Sequence, residues 1–173
     1  MDTAEAATGQ LISLVGGDLD AVEKADKILA SLSQRVIHAG PVGFGLRLKL
    51  INNYMSMVNH VLTGEVLALA KAVGLDRSLT VDLLQNTAAG RGQLRTNYPK
   101  KVLKGDTTAD FSIDMGIKDL SMSISMLREF HDIVSFGIIA RNHFSEAAEA
   151  GYGFKDCTTI LEYFDAKISS THS

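Results

Sequence analysis

The chain has 173 residues, enough for one domain with a sizeable core, and its 46% apolar but only 6% aromatic content means that aliphatic side chains and methionine fill that core. A formal net charge of −3 without a long basic run argues against a nucleic-acid-binding protein, and the single cysteine, Cys157, excludes an internal disulfide and a cysteine-cluster metal site. We see no signal peptide and no apolar stretch long enough to cross a bilayer, and therefore expect a cytoplasmic protein with neither membrane nor nucleic-acid partners.

The first 40 residues predict a strand, a helix and a second strand. Residues 10–15 form a largely apolar run that ends at two glycines, as in a buried strand, and residues 35–38 predict a second short strand. Asp18 is a suitable N-cap for a helix through Ser33, whose inward face would hold five apolar residues: Val22, Ala25, Ile28, Leu29 and Leu32. Parallel strands need neighbours on both sides, so we expect residues 1–40 to be a βαβ remnant of a dinucleotide-binding domain.

Residues 41–173 predict a helical domain. Apolar residues recur at helical spacing over residues 42–73 and surround the axis, which favours a long, central, buried helix that ends at Gly74. Four further helices are expected over residues 78–86, 114–130, 136–150 and 156–169, the first capped by Ser78, with a short helix over 98–103. Residues 87–97 should form a loop, and the methionines at 115, 122 and 126 should pack in the core. The predicted fold class is mainly α.

A polar cluster interrupts the start of the long helix. Lys49, Asn52 and Asn53 stand at positions i, i+3 and i+4 and therefore share one face. Burying them without partners would be costly, so we expect either a ligand there or a hydrogen-bonded cluster that caps the helix or joins it to another helix. The residues alone leave both alternatives open. Gly43 and Gly45, just upstream, permit close approach of a ligand or of a packed strand.

Three motifs in order along the chain resemble those of the β-hydroxyacid dehydrogenases, a family that includes 3-hydroxyisobutyrate dehydrogenase and, more distantly, 6-phosphogluconate dehydrogenase. The first is the Gly-x-Gly-x-x-x-Lys-x-x-Asn-Asn pattern of residues 43–53. The others are residues 111–120, which hold a Phe…Lys-Asp-Leu pattern, and residues 64–76 at a helix end. Residues 49–56, 87–92 and 101–106 are most similar to the sulfolactaldehyde reductase and tartronate semialdehyde reductase branch.

The resemblance implies specific roles for seven residues. Lys49 would be the catalytic general acid, while Asn52, Asn53 and Gly43 would bind the substrate. Phe111, Lys118 and Asp119 would contact the cofactor, NAD or NADP; without the resemblance, an exposed pair on a helix is the simpler interpretation of Lys118–Asp119. No metal site is expected. Arg91 and Arg95 either recognise a carboxylate or sulfonate or lie on a solvated loop.

The resemblance also implies a 6-phosphogluconate dehydrogenase C-terminal-like helical domain and a homodimer. The Gly-x-Gly-x-x-Gly cofactor cradle does not occur in the sequence, so we expect the chain to be cut away from most of its dinucleotide-binding domain. The predicted function is that of the C-terminal domain of an NAD(P)-dependent oxidoreductase acting on small 3-hydroxy acids or their semialdehydes. The alternative is a catalytically silent helical dimerisation module.

Overall fold

The computed structural model describes residues 11–130 and 132–171, and it divides into two compact units at the Val61–Leu62 boundary. The elements of the first unit are β1 (Leu11–Val15), α1 (Leu19–Leu32), β2 (Ser33–His38) and the start of the long helix α2 (Phe44–Ala72). β1 and β2 pair in parallel, with Ile12 opposite Arg35 and Val15 opposite His38. The predicted strand-helix-strand order is therefore confirmed, while Gln10, assigned to the first strand, lies outside the described residues.

The second unit contains the rest of α2 and five further α-helices: α3 (Arg77–Asn86), α4 (Ala88–Arg91), α5 (Ile113–Met126), α6 (Ser135–Ala147) and α7 (Ile160–Thr171). Shorter turns of 3₁₀-helix (Val102–Lys104, Arg128–Phe130 and Cys157–Thr159) and one π-helical turn (Ala148–Tyr152) lie between or beside them. The chain is thus mainly helical with a small parallel sheet. Among the residues described, none of the helices has the length and hydropathy of a bilayer span.

The core of the second unit lies where α5 and α6 meet the turns near residue 157. Ile113, Ala147 and Thr159 are fully buried. Gly116 allows α5 to lie close to α6 and to the turn at Cys157, since a Cβ on Gly116 would lie 3.0 Å from Cε2 of Phe144 and 3.2 Å from Sγ of Cys157. A second cluster joins Leu69 to two residues that follow α5, Leu127 and Val134.

Several helix boundaries differ from the prediction because local signals compete. Asp76, not Ser78, caps α3: its carboxylate accepts from the Leu79 amide at 2.9 Å, and the Ser78 hydroxyl also donates to it. The predicted loop at 87–97 contains the short helix α4, and the predicted helix at 98–103 is only a 3₁₀ turn at its end. The helix predicted over 136–150 changes to a π-helical turn after Ala147 because Gly151 adopts a φ of +91°.

The prediction of a buried central helix is wrong for the single chain. Apart from Gly45, Leu69 and Ala70, α2 is exposed or half-buried, and Tyr54 is 73% exposed. Apolar residues all around a helix indicate that its surface is to be buried, but they do not show whether the same chain or another protein buries it. Two further predictions of burial are wrong for the same reason. Two residues of α1 that were expected to face inward and three methionines expected in the core are all exposed: Ile28, Leu32, Met115, Met122 and Met126.

Candidate functional site

A turn rich in glycine connects β2 to α2 and sets the direction in which the long helix begins. Gly40 and Gly43 have φ values of +115° and +88°, which glycine adopts far more readily than other residues. The Phe44 amide donates to the Pro41 carbonyl at 3.0 Å, and the Arg47 amide donates to the Gly43 carbonyl at 3.1 Å. Gly43 therefore serves the backbone conformation of the turn; its predicted contact with substrate stays a prediction.

The start of α2 lies against the end of β1 at a distance that only glycine permits. A Cβ on Gly45 would lie 2.5 Å from the Leu14 carbonyl oxygen, and a Cβ on Gly16 would lie 2.5 Å from the Pro41 carbonyl oxygen. The Gly17 amide also donates to the Gly40 carbonyl at 2.9 Å. These backbone contacts place the first turns of α2, and with them Lys49, beside the parallel strands.

Lys49, Asn52 and Asn53 are all exposed on α2. Lys49 also borders a hollow of about 460 Å³ whose other walls are β1, Leu29 and the first turn of α2. The alternative of a buried cluster between helices is therefore wrong for the single chain. The side chains instead form an accessible patch of one cation and two amides, which can bind a small polar or anionic molecule.

The polar surface of α2 is longer than the sequence interpretation recognised. At 100° per residue, Ser56 and His60 fall with Lys49, Asn52 and Asn53 inside an arc of about 100°. Ser56 is half-buried and His60 is exposed. The signal was present in the spacing 49, 52, 53, 56 and 60, but the many apolar residues on the rest of the helix hid it.

The cofactor-binding residues predicted in the second unit border two different hollows. Lys118 is exposed on α5 and borders a groove of about 990 Å³ that is also lined by Ala72, Val73 and Met122. Phe111 is 39% exposed and borders a separate hollow of about 480 Å³. Asp119 is exposed on the neighbouring position of α5. Lys118 and Phe111 could therefore each contact a ligand, but they line different hollows.

The hollow beside Phe111 contains residues that the sequence interpretation passed over. Asp156 is 4% exposed, and both of its carboxylate oxygens accept hydrogen bonds. Burial raises the pKa of Asp156, but hydrogen bonds from Thr158, Phe111 and Asp110 outweigh that effect and hold the pKa below its usual value. The spacing of Asp156 and Thr158 was a local signal for a turn, although nothing local indicated its contacts with residues 110 and 111.

Cys157 lies next to this carboxylate and is half-buried. Burial, followed by the negative charge of Asp156, raises the pKa of the Cys157 thiol to about 11. Its Sγ donates to the Ser112 carbonyl at 3.2 Å. A protonated, hydrogen-bonded thiol is a poor nucleophile.

The structure was also expected to lack a metal site and to place two arginines on a loop. Over residues 11–130 and 132–171, no group of three or more His, Cys, Asp or Glu side chains lies close enough together to hold a metal ion. Arg91 and Arg95 are both exposed, so their recognition of an anion stays a prediction.

Comparison with known proteins identifies the family. Residues 43–164 match the family model described as "NAD-binding of NADP-dependent 3-hydroxyisobutyrate dehydrogenase". The chain belongs to this family. The resemblance inferred from the motifs at residues 43–53, 64–76 and 111–120 is thereby confirmed.

Curated relatives match nearly the whole chain. It is 39% identical over 160 residues to the 3-sulfolactaldehyde reductase of Escherichia coli strain K12, covering 92% of this chain and 54% of that protein. It is 27% identical over 169 residues to the NAD-dependent L-serine dehydrogenase of Pseudomonas aeruginosa, covering 94% and 57%. The chain therefore spans about half the length of the curated relatives it matches.

Solved structures show that the fold is shared more widely. An imine reductase variant from Myxococcus stipitatus in complex with NAD⁺ matches with a TM-score of 0.79 at 18% identity, covering 93% of this chain and 57% of that one. The same organism's imine reductase in complex with NADP⁺ matches with a TM-score of 0.77 at 19% identity, covering 90% and 56%. At such identities the likeness establishes the fold alone.

Proposed function

We propose that the chain is the helical part of an NAD(P)-dependent oxidoreductase that acts on small 3-hydroxy acids or their semialdehydes. One observation carries the proposal: the exposed Lys49–Asn52–Asn53 face begins α2 within the residues that match the 3-hydroxyisobutyrate dehydrogenase family model. The similarity to 3-sulfolactaldehyde reductase makes 3-sulfolactaldehyde and tartronate semialdehyde the first substrates to test. The 6-phosphogluconate dehydrogenase-like description of the helical domain belongs to the same proposal, with a domain boundary near residue 40.

Lys49 is assigned the proton transfer of the reaction. In the direction of reduction its ammonium group gives a proton to the carbonyl oxygen, which becomes a hydroxyl, and in oxidation its neutral amine takes that proton back. Asn53 lies one helical turn beyond Lys49 and would hold the reacting oxygen by its side-chain amide, with Asn52 supporting it. The space beside Gly43 is open, since the described residues place no atom within 4 Å of a Cβ built there.

Two residues of the second unit, each bordering its own hollow, are assigned to the nicotinamide end of a coenzyme. Phe111 has an exposed ring suited to packing against a planar heterocycle, and Lys118 supplies a positive charge beside an open groove. The coenzyme, when bound, supplies or accepts the hydride at the substrate carbon. Asp119 follows Lys118 on the exposed surface of α5 and can accept a hydrogen bond from the ligand.

A binding and activity experiment tests the proposal. The chain is titrated calorimetrically with NADH and NADPH, with Lys118→Ala as the variant expected to weaken binding, and reduction of the two semialdehydes is followed by loss of NADH absorbance. Lys49→Ala should lower kcat by roughly 10²–10⁴-fold, the usual contribution of a general acid. The exposed Lys71→Ala in the same helix is the matched control. Retention of kcat within a few-fold in Lys49→Ala would contradict the role of Lys49.

The second candidate, a helical dimerisation module, is favoured by the exposed apolar surface of α2. Five residues of the first unit fall within an arc of about 80°, and each is more than half exposed: Leu46, Leu50, Tyr54, Met57 and Val61. An apolar stripe of this length is typical of a surface that another protein covers, and we propose a second copy of the chain.

Sedimentation of the wild type and of Tyr54→Lys tests the homodimer. The wild type should sediment as a dimer, and a lysine in the stripe should shift it towards monomer because a charge is costly to bury in an apolar interface. Ile168→Lys, also at an exposed apolar position but on α7, should leave the dimer intact. A wild-type dimer that binds neither NADH nor NADPH would support a catalytically silent dimerisation module. A monomeric wild type would exclude a dimerisation module.

A further inference from the structure

The segment between the 3₁₀ turn at Val102–Lys104 and α5 has little regular structure of its own. Residues 106–111 form neither helix nor strand, so their backbone amides and carbonyls must find partners elsewhere. The segment ends at Phe111, the aromatic residue proposed to contact the coenzyme. Two side chains hold it, one from each direction along the sequence: Lys101 and Asp156.

Lys101 holds the first part of the segment. Its side chain is almost covered, yet its Nζ lies 2.8 Å from Oδ1 of Asp110 and 3.2 Å from Oδ2 of Asp106. It also donates to the Thr108 carbonyl at 3.1 Å. Hydrogen bonds to Asp110, followed by those to Asp106, outweigh burial and raise the pKa of Lys101, so the cation persists. Three contacts from one ammonium group therefore bind three positions of the segment together.

Asp156 holds the second part, 45 residues away along the chain. Its Oδ2 accepts from the Asp110 amide at 3.2 Å and from the Phe111 amide at 3.4 Å. Its own amide donates to the Thr107 carbonyl at 3.1 Å, and the next amide, that of Cys157, donates to the Phe111 carbonyl at 2.9 Å. Both backbone polar groups of Phe111 are thus paired with residues 156 and 157.

The carboxylate is itself held on its other side. Oδ1 of Asp156 accepts from the Thr158 amide at 3.0 Å and from the Thr158 hydroxyl at 2.7 Å. The result is a fixed backbone at Phe111, a residue that stays 39% exposed. A fixed backbone with an accessible ring is what an aromatic residue needs in order to present one surface repeatedly to a planar ligand.

We propose that Asp156 is a positioning residue, which sets the Phe111 ring against the nicotinamide end of the coenzyme, with Lys101 as a second anchor of the same segment. This inference rests on the proposed function. Asp156 does not itself touch the coenzyme; it acts through the Phe111 backbone. The expected effect of its loss is weaker coenzyme binding rather than slower proton transfer.

Asp156→Asn is a sharp perturbation because it preserves shape and removes an acceptor. Each carboxylate oxygen accepts from backbone N–H groups, so an amide NH₂ in either orientation must point at a donor. Asp165→Asn, the same substitution at an exposed position of α7, is the matched control. We expect Asp156→Asn to raise the KM and Kd for NADH by up to about tenfold, the cost of ordering one side chain on binding once its backbone is no longer held, and to leave kcat and the KM for the semialdehyde within about twofold of the control.

A double-mutant cycle separates positioning from general destabilisation. If Asp156 acts through Phe111, Asp156→Asn should have little further effect on the Kd for NADH once Phe111→Ala is present. Additive effects of the two substitutions would overturn the proposal, as would an NADH Kd in Asp156→Asn equal to that of Asp165→Asn. If Asp156→Asn does not fold, Lys101→Met replaces it, because this substitution releases the other end of the segment. The double-mutant cycle of Lys101→Met with Phe111→Ala then tests whether the anchored segment acts on the Kd for NADH through Phe111.

Hydrogen exchange gives a readout that needs no coenzyme. The amides of Asp110 and Phe111 should exchange faster in Asp156→Asn than in the control, while the interior of α5 is unchanged. Unchanged exchange at both amides would overturn the anchor. A wild-type chain that binds no coenzyme contradicts the proposed function and the coenzyme part of this inference, whereas faster exchange at the two amides in Asp156→Asn would still establish that Asp156 holds Phe111.

Discussion

Alanine at position 45 would place a Cβ 2.5 Å from the carbonyl oxygen of Leu14, closer than real Cβ atoms come to any backbone atom. An ordinary carbon–oxygen contact is about 3.3 Å or longer, so α2 and β1 would have to separate locally by roughly 0.8 Å. Overpacking of this kind typically costs about 1–3 kcal/mol. The gain from replacing glycine in a helix, about 0.5–1 kcal/mol, offsets part of that cost, and a net loss of about 1–2 kcal/mol follows.

Gly64 supplies the matched control within the same helix. The described residues place nothing within 4 Å of a Cβ built at that position, so Gly64→Ala should stabilise the chain by about 0.5–1 kcal/mol. Urea unfolding followed by circular dichroism measures both variants. The two free energies of unfolding should differ by about 1.5–3 kcal/mol, with changes of opposite sign relative to wild type. A Gly45→Ala variant as stable as Gly64→Ala would refute the close approach of α2 to β1.

The cap of α3 and the state of the cysteine allow two more tests. Asp76→Ala should lower the melting temperature more than Ser78→Ala does, because the Asp76 carboxylate accepts from the Leu79 amide; equal effects would contradict its assignment as the N-cap. The pKa of Cys157 is raised to about 11, so only a small fraction of the thiol is ionised at pH 8. Its reaction with a thiol reagent at pH 8 should therefore be at least roughly a hundredfold slower than the same reaction in the urea-unfolded chain. The reaction of the folded chain should become faster as the pH rises towards 11. Rapid labelling of the folded chain at pH 8 would show that the thiol is neither buried nor protonated.

Elements set by local patterns were predicted well. The strand-helix-strand unit and the long helix, expected over 42–73 and observed over Phe44–Ala72, follow from short apolar runs closed by glycine and from a period-3.6 pattern. Contacts within a few residues decide both signals. The errors at residues 76–78 and 147–152 arose where two local signals compete: two adjacent side chains can cap α3, and a glycine can leave the helix before its apolar pattern ends.

Burial was predicted less well because it depends on surfaces that periodicity cannot identify. The apolar stripe on α2 was correctly recognised as apolar, yet was assigned to the core of the same chain, and Met122 of α5 was misassigned for the same reason. Asp156 had no predicted role since its partners, residues 107, 110 and 111, lie more than 40 positions away. Nothing in a local pattern distinguishes an aspartate that begins a helix from one that also secures a distant loop.

The sequence by itself determined the mainly helical class, the family motifs and the placement of Lys49, Asn52 and Asn53 on one helix face, because each depends on spacing along a single segment. Only the tertiary structure decided that Gly45 and Gly16 allow α2 to meet the end of β1, that Asp156 fixes the backbone of Phe111, and that the patch around Lys49 is accessible. Those features depend on which distant surfaces meet. That outcome follows from packing and hydrogen-bond satisfaction over the whole fold rather than from the pattern of any one segment.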